Sequence, residues 1–240
     1  IRTKYSTINY KDALSHNGTG RIMRKFPTVA GIDMSGTVET SSDPRWKKGD
    51  KVIVHAYDMG VAHDGGYAEY VRVPGDWIVR RPESMTAFDA MTLGTAGFTA
   101  AQAIHLMLHN GLAPASGPVA VTGATGGVGC GAVEMLAKVG VQGVASAGKA
   151  AEESDWLKAI GAAEAGGGAH AGEEVGDGAL RDAHALGLAG GAGGVDEVGG
   201  VLGGGDGERG AGLLKWLGRL GRRLQQLIDA EHALGGDAQR

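Results

Sequence analysis

Val119-Ala120-Val121-Thr122-Gly123-Ala124-Thr125-Gly126-Gly127-Val128-Gly129 is the stretch that decides the fold. Val119–Thr122 has the composition of a short buried strand. From about Val128 to Val139 the apolar residues recur at helical spacing, and Gly140 stops the run. Between strand and helix, Gly123 permits the tight turn. Gly126 and Gly127 leave room for a phosphate to reach the backbone, and Gly129 lets the helix pack closely on the sheet. Free N–H groups and the positive end of the helix dipole then face the anion. A glycine-rich turn in that setting predicts a dinucleotide site; the plainer alternative is a turn with no ligand. No Gly-Lys-Ser/Thr is present, which excludes a nucleoside-triphosphate P-loop.

Working outward, Val141–Ser146 reads as a second strand, weakened by Gly143, and Glu152–Ile160 as a second helix ending at Gly161. Strand, turn, helix, strand, helix is the first half of a doubly wound α/β fold. The second strand runs into Ser146-Ala147-Gly148-Lys149. A carboxylate there would accept from a ribose 2′-hydroxyl, and none occurs before Glu152. Lys149 can pair with a 2′-phosphate and Ser146 can hydrogen-bond it, so NADPH is favoured over NADH. The alternative is that Lys149 is a solvated loop lysine.

Upstream, residues 29–80 read as short strands with turns. Thr37–Glu39, Lys51–His55, Gly65–Val73 and Trp77–Val79 are the candidate strands of a small all-β unit. The period becomes helical from Ala87, and Ala96–Leu108 ends at Asn110-Gly111. Ile1–Tyr10 reads as the interior of a domain, without the basic start and apolar run of a secretory leader.

The chain has 240 residues, and its charge is unevenly spread. Residues 1–150 carry 15 Lys/Arg against 12 Asp/Glu, while residues 151–240 carry 8 against 15. The overall charge of −4 argues against nucleic acid as a partner. No apolar run reaches the ~18 residues of a membrane span. A single cysteine, Cys130, excludes an internal disulfide and a multi-cysteine metal site, and points to a reducing, cytoplasmic setting. From residue 161 onward Val, Ile, Thr, Phe and Tyr together number five, and Gly and Ala dominate. Residues 161–212 are therefore expected to form few buried strands. Gly194–Gly200 has the look of a strand and turn. Leu213–Leu234 reads as an amphipathic helix with Leu213, Leu217, Leu220, Leu224, Leu227 and Leu234 at helical spacing, either a surface helix with a buried stripe or one that meets a membrane surface or a partner.

Several strings now point one way. Asn9-Tyr10-Lys11-Asp12-Ala13, Gly31-Ile32-Asp33-Met34-Ser35-Gly36-Thr37-Val38, Gly65-Gly66-Tyr67-Ala68-Glu69-Tyr70, Gly94-Thr95-Ala96-Gly97-Phe98-Thr99-Ala100 and the Gly123–Gly129 turn resemble one family. It is the zinc-free, quinone-oxidoreductase-like branch of the medium-chain dehydrogenase/reductase superfamily. Their wording is nearest to its acryloyl-CoA reductase (NADPH) group. The resemblance covers about residues 3–161. It implies an α/β chain: a GroES-like catalytic domain over 1–93, truncated at its N-terminus, and a Rossmann domain over 94–200, incomplete after residue 161. An atypical tail over 201–240 holds the 213–234 helix.

The resemblance also implies chemistry. Zinc-bearing members carry Cys or His near the places held here by Asn9–Asp12 and Gly31-Ile32-Asp33, so no metal is expected. Hydride would pass from NADPH to the β-carbon of an enoyl thioester such as acryloyl-CoA, or to a quinone. Tyr10 would lie beside the nicotinamide, with Asn9 and Asp12 lining the catalytic cleft. Gly123, Thr125, Gly126, Gly127, Val128 and Gly129 would hold the pyrophosphate; Ser146, Ala147, Gly148 and Lys149 would meet the 2′-phosphate. Relatives have Ser-Gly-Arg where this chain has Ala147-Gly148-Lys149, which removes a hydroxyl and a bidentate donor. Partners are a small-molecule substrate and a second copy in a homodimer. Arg21, Arg24 and Lys25 could meet CoA phosphates, or form a solvated face. His55 and the other histidines show no spacing that pairs them with acids or cysteines, and read as surface or satisfied groups. The composition after Gly161 departs from the family and resembles GC-rich DNA read in a shifted frame. The alternative function is therefore an inactive or truncated nucleotide-binding module.

Overall fold

The computed structural model describes residues 1–18, 22–148 and 152–167. The chain divides into two compact units, Ile1–Phe98 and Thr99 onward. The expectations for Gly194–Gly200, the 213–234 helix and the domain limits beyond 167 lie outside the described residues, as does Lys149.

The first unit is built on an antiparallel sheet of β1 (Arg2–Ser6), β2 (Asp33–Thr37), β3 (Lys51–His55) and β4 (Ile78–Arg80), in that spatial order. Helix α1 (Tyr10–His16) lies between β1 and β2 in sequence. Successive residues of a strand face opposite sides of its sheet, and β3 uses both. Val54 packs with Met34, Met59 and Val71. Ile53 packs with Ala90 and Met91, from the first turns of helix α2 (Ala87–His109). With Val52, Ile53 and Val54 all buried, β3 is a central strand covered on both faces, and its local composition suffices to place it.

Elsewhere the structure corrects the expectations. The strand expected at Thr37–Glu39 lies earlier, at Asp33–Thr37. Its residues have modest β-propensity, and pairing with β1 on one side and β3 on the other overrides that. Gly36 is required there, because a Cβ would lie 2.1 Å from the Arg2 carbonyl oxygen. Gly65–Val73 is not a strand; it makes one bridge, Tyr70 to Arg2. Its glycines are used for close approach instead, a Cβ on Gly65 falling 2.3 Å from the Gly31 oxygen. The Trp77–Val79 expectation becomes a 3-10 turn, Gly75–Trp77, followed by β4.

The second unit follows the expected order closely. A parallel sheet has the order β5 (Val119–Thr122), β6 (Gly143–Ser146), β7 (Ala162–Gly166). Helices α3 (Gly127–Lys138) and α4 (Ser154–Ala159) connect them. Strand β7 adds one strand past residue 161, within the few that the composition allowed. A parallel ladder is made by backbone groups. Small residues can therefore pair, Gly143 with Ala162 through Ser146 with Gly166, once Leu157 of α4 supplies the buried apolar contact. No helix among the described residues is long and apolar enough to cross a membrane.

Candidate functional site

The turn after β5 takes the form its glycines predict. Gly123 has φ +64, a left-handed conformation that glycine adopts without steric cost. Its carbonyl accepts from the Gly126 N–H at 2.9 Å, closing the turn. Gly129 lies against that turn, and a Cβ there would be 2.2 Å from the Gly123 oxygen. Gly126 caps α3 with no side-chain hydrogen bond, and its carbonyl accepts from Cys130 at 2.9 Å. The amides of Gly127 and Val128 open the helix, where no carbonyl of the preceding turn can reach them. Among the described residues they have no partner. Gly126 is buried, Gly127 exposed, and Thr125 and Val128 half-buried. Uncapped donors at a helix start suit an anion such as a diphosphate.

At the end of β6, Ser146 is buried, and its carbonyl accepts from the Ala124 N–H at 3.2 Å, tying the turn to the neighbouring strand. The Ala147 N–H donates to the Gly166 carbonyl at 3.3 Å, and Gly148 is exposed. Cys130 is no activated nucleophile: burial pushes its thiol up, and Sγ donates to the Gly127 carbonyl at 3.5 Å.

The first unit holds a second polar cluster. Asp12 is buried and each of its oxygens accepts a backbone N–H, from Asn9 at 2.8 Å and from Ile32 at 3.2 Å. Burial raises its pKa, and these bonds offset part of the rise. Its carboxylate is thus spent on shaping the start of α1. Tyr10 is exposed and Asn9 half-buried. Asn9 donates through Nδ2 to Asp33 Oδ2 at 2.8 Å, which leads to residues the sequence left unassigned.

Asp33 is fully buried. It also accepts from the Thr95 N–H at 2.8 Å and the Thr95 hydroxyl at 2.6 Å, and lies 3.0 Å from His55 Nδ1. Burial opposes ionisation, but the His55 hydrogen bond and charge, with the two Thr95 donors, outweigh it and hold the carboxyl below its ordinary value. Tyr67 stands nearby, donating to the Thr7 carbonyl at 3.3 Å; burial and then the Asp12 charge push its phenol up. The pairing of His55 with Asp33 is a matter of cross-strand register, which no sequence spacing displays. An aspartate amid Ile32 and Met34 was the available signal. Arg24, one of the basic run, is paired with Asp58. Among the described residues no cluster of three or more His, Cys, Asp or Glu could hold a metal ion.

Residues 1–83 match the alcohol dehydrogenase GroES-like domain. Over a longer stretch that includes more than this domain, the chain is 49% identical across 200 residues to the quinone oxidoreductase YhfP of Bacillus subtilis, covering 83% of this chain and 58% of that protein. It is 46% identical over 164 residues to the acrylyl-CoA reductase AcuI of Ruegeria pomeroyi, covering 68% and 49%. Over the residues these matches cover, the chain is similar to the quinone-oxidoreductase-like branch of the medium-chain dehydrogenase/reductase superfamily. Two crystal structures of this branch superpose on it. E. coli YhdH with bound NADPH has 44% identity and a TM-score of 0.66; B. subtilis yhfP with NAD bound has 51% and 0.65. Each covers 68% of this chain and 50% of the other. The chain thus spans about half the length of the relatives it matches.

Proposed function

We propose that the chain is an NADPH-dependent reductase that delivers hydride to an activated alkene, an enoyl thioester of the acryloyl-CoA type, or to a quinone. The observation that carries this reading is the Gly123–Gly129 turn, with the Gly127 and Val128 amides open at the start of α3. Its geometry fits a dinucleotide diphosphate: Gly129 keeps the helix tight on the turn, and no side chain caps the helix. When bound, the reduced nicotinamide supplies the hydride. The turn would hold the diphosphate, and the stretch Ser146 to Lys149 would meet the ribose end, with the Lys149 charge giving the preference for a 2′-phosphate. Tyr10 would meet the nicotinamide, and Asn9, fixed by Asp33, would orient the reacting groups. Asp12 serves as a positioning residue, because both its oxygens are already engaged. Support comes from YhdH, whose structure carries NADPH, and from the name of AcuI; the NAD in the yhfP structure makes the cofactor preference a matter for measurement.

The test pairs binding with turnover. NADPH and NADH affinities are measured by fluorescence for wild type and Lys149→Ala, and NADPH oxidation is followed with acryloyl-CoA and with a quinone. Wild type is expected to bind NADPH more tightly. Lys149→Ala should lose roughly tenfold or more in NADPH affinity, the worth of one charge-assisted contact, with NADH unaffected. Equal affinities in wild type would remove the 2′-phosphate reading. Binding with no turnover on either acceptor would leave an inactive nucleotide-binding module.

A further inference from the structure

We propose that His55 supplies the hydrogen-bond donor that meets the carbonyl oxygen of the electron-accepting substrate, an inference that rests on the reductase reading above. The geometry starts at Asp33. Its two oxygens face four groups: Asn9 Nδ2, the Thr95 N–H, the Thr95 hydroxyl and His55 Nδ1. The first three donate, and the carboxylate, ionised and fully buried, can only accept. Nδ1 of His55 must therefore carry a proton and give it to Asp33. That assignment leaves Nε2 as the free polar atom of the ring, diverging from the buried carboxylate, with no partner among the described residues. The His55 side chain is 18% exposed, so an edge of the ring reaches solvent. Its face is stacked on Phe98, with centroids 6.0 Å apart and planes 19° from parallel. Phe98 is itself exposed, so ring and imidazole form a flat apolar shelf ending in one nitrogen.

The same carboxylate ties His55 to Asn9, beside the exposed Tyr10. The ligand that suits such a shelf is planar and conjugated and carries an oxygen that gains negative charge. Both an enoyl thioester and a quinone meet this description. With Nδ1 committed, Nε2 is the nitrogen that donates once the ring carries its second proton. When hydride forms the new C–H bond at the β-carbon, the alkene π pair moves toward the carbonyl and leaves an enolate. Nε2–H donates to that oxygen, and the α-carbon takes its proton from water. A donor fixed before the charge develops is the arrangement that lowers such a barrier. Asp33 faces the ring directly; Asp12 and Tyr67 stand behind it, coupled electrostatically to Asp33 or to each other.

The test separates this role from the cofactor reading. Full-length protein with 15N-labelled histidine and backbone is titrated by NMR with NADP+ and then with propionyl-CoA, a saturated thioester that retains the carbonyl. The Gly127 and Val128 amides are expected to shift with NADP+, and His55 Nε2 with the thioester, while His63 and His105 stay in place. His55→Asn keeps a donor for Asp33 and removes Nε2. It should lower kcat by about a hundredfold with NADPH affinity unchanged. If the loop amides shift while His55 does not respond to the thioester, or if His55→Asn keeps full kcat, the His55 proposal fails alone. If no loop amide responds to the cofactor, the reductase reading fails and takes His55 with it.

Discussion

At the scale of single residues, two glycines in one turn make opposite demands. Gly123 needs its left-handed backbone but has no neighbour within 4 Å of an added Cβ, whereas Gly129 has no room at all. Gly123→Ala should cost about 1–2 kcal/mol of conformational strain and retain cofactor binding. Gly129→Ala must push α3 off the turn and should abolish binding. Isothermal titration with NADPH on both variants checks the contrast, and equal affinities would show that the turn does not set the site. Glu134 on α3 makes a second residue-scale case. It is 3% exposed, one of its oxygens has no hydrogen-bond partner, and burial pushes its pKa up to about 7, with Lys138 pulling the other way. A pKa raised on folding means the folded state binds more protons than the unfolded one. The penalty is therefore absent below the ordinary value of 4.5, grows as pH rises toward 7, and is complete above it. Glu134→Gln should gain on the order of 1–3 kcal/mol at pH 8 relative to its own effect at pH 4.5. Urea unfolding of both proteins at the two pH values measures that difference; no difference would mean the carboxylate is solvated.

At the scale of elements, legibility followed locality. β3, β5 and α3 could be read because their apolar spacing and stop signals lie within a few residues. The Gly123–Gly129 turn could be read for the same reason. β1 and α1 went unread because their residues, Arg2–Ser6 and Tyr10–His16, carry little local pattern and are held by distant partners: β2 for the strand, and Asp12 bonded to Ile32 for the helix start. β7 went unread because alanine and glycine pair by backbone alone. The Asp33 cluster escaped for a related reason, since β2, β3 and α2 must all be in register before its donors converge. Helix α2 shows how far the backbone is bent to build it. At Gly94 the helix breaks, with φ +50 and ψ −155. An added Cβ would lie 2.7 Å from Asp33 Oδ2 and 2.8 Å from Thr7 Cγ2. The break presents the Thr95 N–H to the carboxylate instead of to its own helix. Gly94→Ala should therefore destabilise by about 2 kcal/mol or more, combining left-handed strain with the clash. Thermal unfolding checks it, alongside Gly111→Ala, which also has a positive φ, at +93, but open space around it. Equal losses in the two variants would mean that contact with Asp33 contributes nothing.

At the scale of the whole molecule, charge offers a way to choose between the two acceptor classes. The chain is net negative at −4, yet residues 1–150 carry three more basic than acidic groups, 15 against 12. Part of that basic charge is already answered: Arg45 by Asp43 and Asp76, Lys48 by Glu39, Arg80 by Asp50 and Lys51 by Glu83. These pairs are on the surface and each contributes little to stability, but they leave a modest positive excess rather than a strong field. A CoA thioester carries several phosphate charges and a quinone none. A weak positive field should draw the thioester and be screened as the Debye length shrinks from about 10 Å to a few ångströms with added salt. If the natural acceptor is a CoA thioester, its kcat/KM should fall about threefold or more between roughly 0.05 and 0.5 M salt, while that of a quinone stays level. NADPH must be held saturating at both salt concentrations so that cofactor binding does not enter the ratio. Parallel salt curves for the two acceptors would show that this charge does not act on the acceptor, and discrimination would then rest on shape at the His55–Phe98 shelf.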